Sequence, residues 1–355
     1  MSDNRGLYIH VPFCLRKCPY CDFYSVAGAE GLYREYVNAV VRNLSCYPEV
    51  FDTVYFGGGT PSLISSYIGE ILSAVRTAPN AEITMECNPA TMDGICFGMI
   101  KDSGVNRLSI GVQSLRDNEL KRLGRLHSAA QAEDIILAAH GAGFENISAD
   151  VMLGIPEQTA ESLADTLERL AALPITHISA YMLTLEPATP FGKAPPADMA
   201  DDEQMADLYA LCQRICEKNG FHQYEISNYC KSGAECRHNL KYWHDEEYLG
   251  IGPAAHSFYK GKRFAVPHDL ESFLHSHRQP TEDNDDDPGS YDERVMMGLR
   301  LSEGIEESLY KPFEGALRLI PEEYYTLKDG RLALTAEGFP LYNYIVSLLL
   351  AHIEE

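Results

Sequence analysis

Residues 7–23 read LYIHVPFCLRKCPYCDF: a β-rich run, LYIHV, ends at Pro12 and delivers a loop carrying Cys14, Cys18 and Cys21. The C-x3-C-x2-C spacing is short enough to put three sulfurs on one concave side of a loop leaving a strand. Iron-sulfur cubanes need thiolate ligands and usually take four, so three would leave one iron open. A structural zinc site completed by a histidine is the competing reading, although zinc favours paired C-x2-C knuckles. Ten cysteines might suggest disulfides, but the other seven (46, 87, 96, 212, 216, 230, 236) are scattered through patterned segments. In a reducing compartment such a cluster reads as metal chemistry.

Outward from this loop, β-rich runs alternate with segments of helical apolar spacing. The strand candidates are LYIHV (7–11), TVYF (53–56), EITMEC (82–87), RLSIGV (107–112), ISADVML (147–153) and HISAYML (177–183). Helices are expected near 32–46, 64–77, 92–103, 117–142 with a break at Gly124, and 160–172. Six successive βα units imply a parallel sheet, curled or open, with ligands gathering at the C-terminal ends of the strands. Those ends carry groups that a core does not require: the cysteine loop, GGGTPS, Glu86-Cys87-Asn88-Pro89, Gln113-Ser114, Asp150 and Thr184. Gly57, Gly58 and Gly59 would let backbone approach a ligand without a Cβ clash, or would simply make a tight turn.

A helix is expected at 202–218, then one more strand at YEISNY (224–229). The acidic run 282–287 reads as a solvated linker, followed by a small, largely helical domain with a possible β-hairpin. The expected division is therefore 1–220, a connecting segment 221–281, and 282–355. The chain's 355 residues, 45% hydrophobic, can bury a large core and a satellite one. Its 52 acidic against 29 basic residues give a net charge of −23, which disfavours nucleic acid and anionic membranes as partners. With no apolar run approaching a membrane span and no leader-like N-terminus, a cytoplasmic location is expected.

YIHVPFCLRKCPYCDF resembles the opening motif of radical S-adenosylmethionine (SAM) proteins, in the group similar to oxygen-independent coproporphyrinogen III oxidase. The resemblance recurs at GGGTPS, MECNP, RLSIGVQSL, RLGRLHS, ADVMLGIPEQT, RHNLKYW, YLGIGPAAHS and GLRLSEGI, covering nearly the whole chain. It implies a partial (β/α)6 barrel with a small, largely helical C-terminal domain, and a four-iron, four-sulfur cluster on Cys14, Cys18 and Cys21 with SAM at the open iron. Gly57, Gly58, Gly59 and Thr60 would hold the methionine amino group. Glu86 and Asp150 would take SAM's ammonium or ribose, Gln113 and Arg125 would be further SAM contacts, and Tyr8 and Tyr20 would flank the cluster and adenine.

The decarboxylating oxidases of this group continue into a fourth cysteine and carry a longer N-terminal extension. Here Cys21 is followed by Asp22-Phe23, and only thirteen residues precede Cys14. His238-Asn239-Leu240-Lys241-Tyr242-Trp243 instead resembles the HNxxYW signature of the HemW branch of heme chaperones. That resemblance implies heme as ligand, with His238 as axial ligand and Tyr242 and Trp243 as walls, and a heme-accepting respiratory protein as partner. A porphyrinogen decarboxylase is the alternative, and a binding protein with a vestigial metal site comes third. A packed or capping role for His238, a small metal site of Cys230, Cys236 and His238, and His256 as axial ligand all stay open.

Overall fold

Six parallel strands lie side by side in sequence order: β1 (Gly6–Val11), β2 (Val50–Gly58), β3 (Arg76–Cys87), β4 (Arg107–Gln113), β5 (Asn146–Leu153) and β6 (His177–Met182). The computed structural model describes residues 5–285 and 287–353. Alternation along each strand sorts its residues onto two faces. Leu7, Ile9, Val54, Phe56, Met85, Leu108, Ile110, Ile147, Ala149, Ile178 and Ala180 are buried with helix residues such as Val37, Val40, Phe97, Ile136 and Leu163. The intervening residues, among them Tyr8, Tyr55, Glu86, Ser109, Asp150 and Ser179, share the opposite, polar face. Parallel register brings them abreast, with Tyr8 paired to Tyr55, Glu86 to Ser109 and Asp150 to Ser179.

The covering helices show the matching pattern. Ala160–Ala171 starts from Thr159, whose side chain accepts from the Ser162 amide, and buries Leu163, Leu167 and Leu170. Each such leucine stabilises the fold by about 1.5–3 kcal/mol. The expected break in 117–142 occurs: helices Asp117–Arg122 and Ala129–Gly141 are separated around Gly124, which has φ +70°. The expected helix at 64–77 is shorter and tighter. A 3-10 segment, Pro61–Tyr67, precedes an α-helix at Ile68–Ser73, and β3 is already under way at Arg76.

Two expectations are corrected on the sheet's edges. YEISNY is not one strand but the turn of a hairpin, His222–Glu225 and Asn228–Cys230, whose second strand runs antiparallel to β6. Glu225 makes the turn by accepting from the Ser227 amide at 2.9 Å and from the Asn228 side chain. Nor is the acidic run a linker: exposed as expected at Glu282 and Asp283, it forms the edge strand Glu282–Asp285 paired to Lys262–Ala265, while residue 286 lies outside the described residues. On this flank Tyr248–Ile251 runs parallel to β1, so residues after 221 extend both edges of one twelve-stranded sheet. The C-terminal region is mostly helical around a three-stranded sheet that contains the expected hairpin, Tyr325–Lys328 with Arg331–Leu334. Among the described residues no helix is long and apolar enough to cross a membrane.

Candidate functional site

The C-terminal ends of all six strands open into one cavity of about 410 Å³. Cys14, Cys18 and Cys21 line it, together with Tyr20, Gly58, Gly59, Thr60, Glu86, Gln113, Arg125 and Asp150. Tyr8 and Gly57 do not reach its surface. They lie behind it, where a Cβ on Gly57 would stand 2.9 Å from the Tyr8 and Tyr55 rings. Gly58 has φ +104°, a conformation that favours glycine, and it carries the chain past His10.

The cysteine loop is held from several sides. The Thr60 hydroxyl approaches Cys14 Sγ at 3.5 Å, and Arg125 Nη1 stands 3.9 Å from Cys18 Sγ. Arg125 Nη2 also donates to the Gly111 carbonyl at 2.8 Å, which fixes the guanidinium over the cavity while its Nε has no partner among the described residues. Burial pushes the Cys21 thiol up to about 11, so a metal would have to displace its proton. Among the described residues the three loop sulfurs are not a group whose donor atoms all fall within 4.8 Å of one another. One tetrahedral zinc would need thiolates about 3.8 Å apart. A cubane binds each thiolate at a different iron and spreads them further, so the donor set fits a cluster better than a single ion.

The opposite wall is acidic. Glu86 accepts from the Tyr55 hydroxyl at 3.0 Å and from the Gly58 amide at 3.2 Å; Asp150 accepts from Ser109 at 2.9 Å. Burial, and then the proximity of Asp150, raises Glu86 to about 8; burial also raises Asp150 to about 6. Arg107, buried nearby, offsets part of that rise at Asp150. A ligand with an ammonium group and hydroxyls would satisfy both.

The radical SAM superfamily profile matches residues 8–170, the span that contains most of β1, all of β2 to β5 and every loop just described except that after β6. Heme chaperone HemW of Escherichia coli (strain K12) is 41% identical over 262 residues, 71% of this chain and 69% of its own. The chain belongs to the radical SAM superfamily. It is closely related to the bacterial HemW branch: Heme chaperone HemW of Lactococcus lactis is 32% identical over 97% of this chain and 96% of its own. Coproporphyrinogen III oxidase from Escherichia coli, a radical SAM enzyme of known structure, has the same fold. Its TM-score is 0.82 at 19% identity, covering 98% of this chain and 91% of that one.

In this radical SAM chain the heme-motif residues are not in the cavity. They form the helix Arg237–Trp243, packed beneath β2. His238 is 1% exposed, with Nδ1 2.8 Å from the Thr53 hydroxyl and Nε2 2.9 Å from the Tyr242 hydroxyl. Burial, with Lys241 and Arg107 nearby, lowers its pKa to about 3. In this conformation the ring is a satisfied interior histidine, and iron could bind it only in exchange for one of these hydrogen bonds. Trp243 lies under the Arg300 guanidinium at 4.3 Å, which joins the helix to the C-terminal region. The sulfur of Cys236 faces Glu82 and that of Cys230 faces His222, so the site of Cys230, Cys236 and His238 does not assemble. His256 is exposed on the strand His256–Tyr259.

Sequence reading missed Tyr55, Ser109 and Gly111, which shape the acidic wall and seat Arg125. Their signal was strand parity: each shares its face with Glu86 or Asp150.

Proposed function

We propose that this chain is a heme chaperone of the HemW type, which holds a four-iron, four-sulfur cluster on Cys14, Cys18 and Cys21 and SAM beside it. The observation that carries the reading is the convergence of three thiols, one guanidinium and two buried carboxylates with raised pKa on a single cavity. When bound, the cluster and SAM supply one-electron chemistry. The chain's own groups bind and orient: Glu86 and Asp150 receive the ammonium and ribose, and Arg125 and Gln113 the methionine carboxylate. Gly58, Gly59 and Thr60 line the approach, and Tyr20 covers the adenine side. Tyr8 and Gly57, behind the cavity wall, act by positioning.

The heme part of the proposal rests on the names of the relatives and on the RHNLKYW helix. His238 would be the residue to hold the iron, in exchange for its Tyr242 hydrogen bond, with Tyr242 and Trp243 alongside. Residues 1–220 then act as the SAM unit, 221–281 as the heme-linked segment and 282–355 as a terminal domain, and cytoplasmic protein passes heme to a respiratory acceptor. Phe23, where the C-x3-C-x2-C-x-C pattern of the decarboxylating oxidases offers a further cysteine, argues against porphyrinogen decarboxylation.

The test is anaerobic reconstitution followed by a hemin titration and an assay with coproporphyrinogen, SAM and reductant. Saturable heme binding without loss of propionate carboxyls is expected. Stoichiometric decarboxylation to protoporphyrinogen would overturn the chaperone reading.

A further inference from the structure

The outer hairpin carries three metal-ligand types that the cavity does not use. His222 begins its first strand and Cys230 ends its second, and the two are direct cross-strand partners. The turn that follows, closed by the Ala234 amide donating to the Lys231 carbonyl at 3.0 Å, returns Glu235 to the same spot. The donor atoms of His222, Cys230 and Glu235 all lie within 4.8 Å of one another. His222 Nε2 is 3.5 Å from Cys230 Sγ and 3.0 Å from Glu235 Oε1.

We propose that these three residues form a second metal site that takes a zinc-class divalent cation. Bond lengths of about 2.3 Å to sulfur and about 2.0–2.1 Å to nitrogen or oxygen put tetrahedral ligand atoms about 3.6 Å apart for S and N, and about 3.3 Å for N and O. The observed separations differ from these by a few tenths of an ångström. A thiolate, an imidazole and a carboxylate together suit zinc over magnesium or calcium, which prefer all-oxygen sites. Cys230 is buried while His222 is exposed, so a cation would be anchored from the protein side and keep its fourth position open to water.

The site stands apart from the cysteine loop. Cys230 pairs with His177 at the start of β6, whereas the cavity opens at the strands' other ends. Glu235 immediately precedes Cys236, the residue before the helix Arg237–Trp243. A bound cation would therefore staple the sheet's edge hairpin to the segment entering that helix.

Full-length protein, anaerobically reconstituted so that the loop cysteines hold iron, is incubated with zinc chloride, desalted and examined by elemental analysis and zinc K-edge X-ray absorption. One zinc per chain is expected, with one sulfur scatterer at about 2.3 Å and the remainder nitrogen or oxygen. Cys230→Ser should remove the sulfur scatterer. His222→Gln, at an exposed position that leaves the core intact, should weaken zinc binding at least about tenfold. A chain with Cys14, Cys18 and Cys21 all changed to serine should keep the same zinc, which separates this result from the fate of the cluster proposal. Failure to retain zinc, or a spectrum and affinity unaltered by both His222→Gln and Cys230→Ser, would overturn the site and leave a His222 and Glu235 ion pair closing the turn.

Discussion

His238 Nε2 and the Tyr242 hydroxyl meet at 2.9 Å, one turn apart on a single helix, while the ring's other nitrogen is held by Thr53. Loss of the imidazole would leave two hydroxyls unpaired and a space between β2 and the helix. His238→Ala should lower unfolding free energy by roughly 2–4 kcal/mol in urea titrations. Tyr242→Phe should leave Nε2 available and so tighten heme binding, whereas His238→Ala should weaken it and shift the Soret band. An unchanged Soret band in His238→Ala would return His238 to a purely structural role and direct attention to His256.

Alanine in place of Cys14, Cys18 or Cys21 should abolish the iron-sulfur absorbance of reconstituted protein, because two thiolates cannot hold the cubane. Cys46→Ala and Cys212→Ala should leave it intact, since neither residue reaches the cavity. A Cys14→Ala protein with a full iron and sulfide complement would contradict the assignment.

The raised Glu86 carboxyl makes a pH prediction with a definite sign. Its folded value of about 8 lies above the ordinary value of 4.5, so the folded state binds the proton more tightly than the unfolded chain. Stability from this group is present below pH 4.5 and is lost as pH rises towards 8, at no more than about 1.4 kcal/mol per pH unit because a single carboxyl binds at most one extra proton. Glu86→Gln should flatten that part of the pH profile in thermal melts. An ammonium ligand would favour the ionised carboxylate, so SAM binding near pH 7 should release protons, detectable by calorimetry in buffers of different ionisation enthalpy. Equal proton release from Glu86→Gln would assign the effect elsewhere.

A methyl group at position 111 would stand 3.1 Å from Gln113 Nε2 and 3.3 Å from Arg125 Nη2. Gly111→Ala should push both side chains off the cavity wall and weaken SAM binding by roughly tenfold, about 1.4 kcal/mol, with little change in melting temperature. A SAM affinity equal to that of the unsubstituted protein would show that neither side chain needs its present position.

Much of the barrel was legible because each strand's signal is local. Leu7, Ile9 and Val11, or Ile147, Ala149 and Val151, alternate over a few residues, and right-handed crossovers then bring all six strand ends to one face. YEISNY could not be read correctly from period alone: the hairpin turns because Glu225, buried in the finished fold, accepts from Ser227 and Asn228. The acidic run 282–287 reads as a linker for a similar reason, since its strand depends on an edge supplied by Lys262–Ala265.

By itself, then, the sequence determined the cysteine spacing, the glycine turn and the order of six βα units, all of which follow from covalent spacing and short-range periodicity. Only the tertiary structure decided which polar residues meet. It put Tyr55, Ser109 and Gly111 beside Glu86, Asp150 and Arg125, closed His238 between Thr53 and Tyr242, and drew His222, Cys230 and Glu235 together. The physical reason is common to all three: a side chain's partners depend on strand register and on burial by distant segments, and neither can be read from a residue's neighbours along the chain.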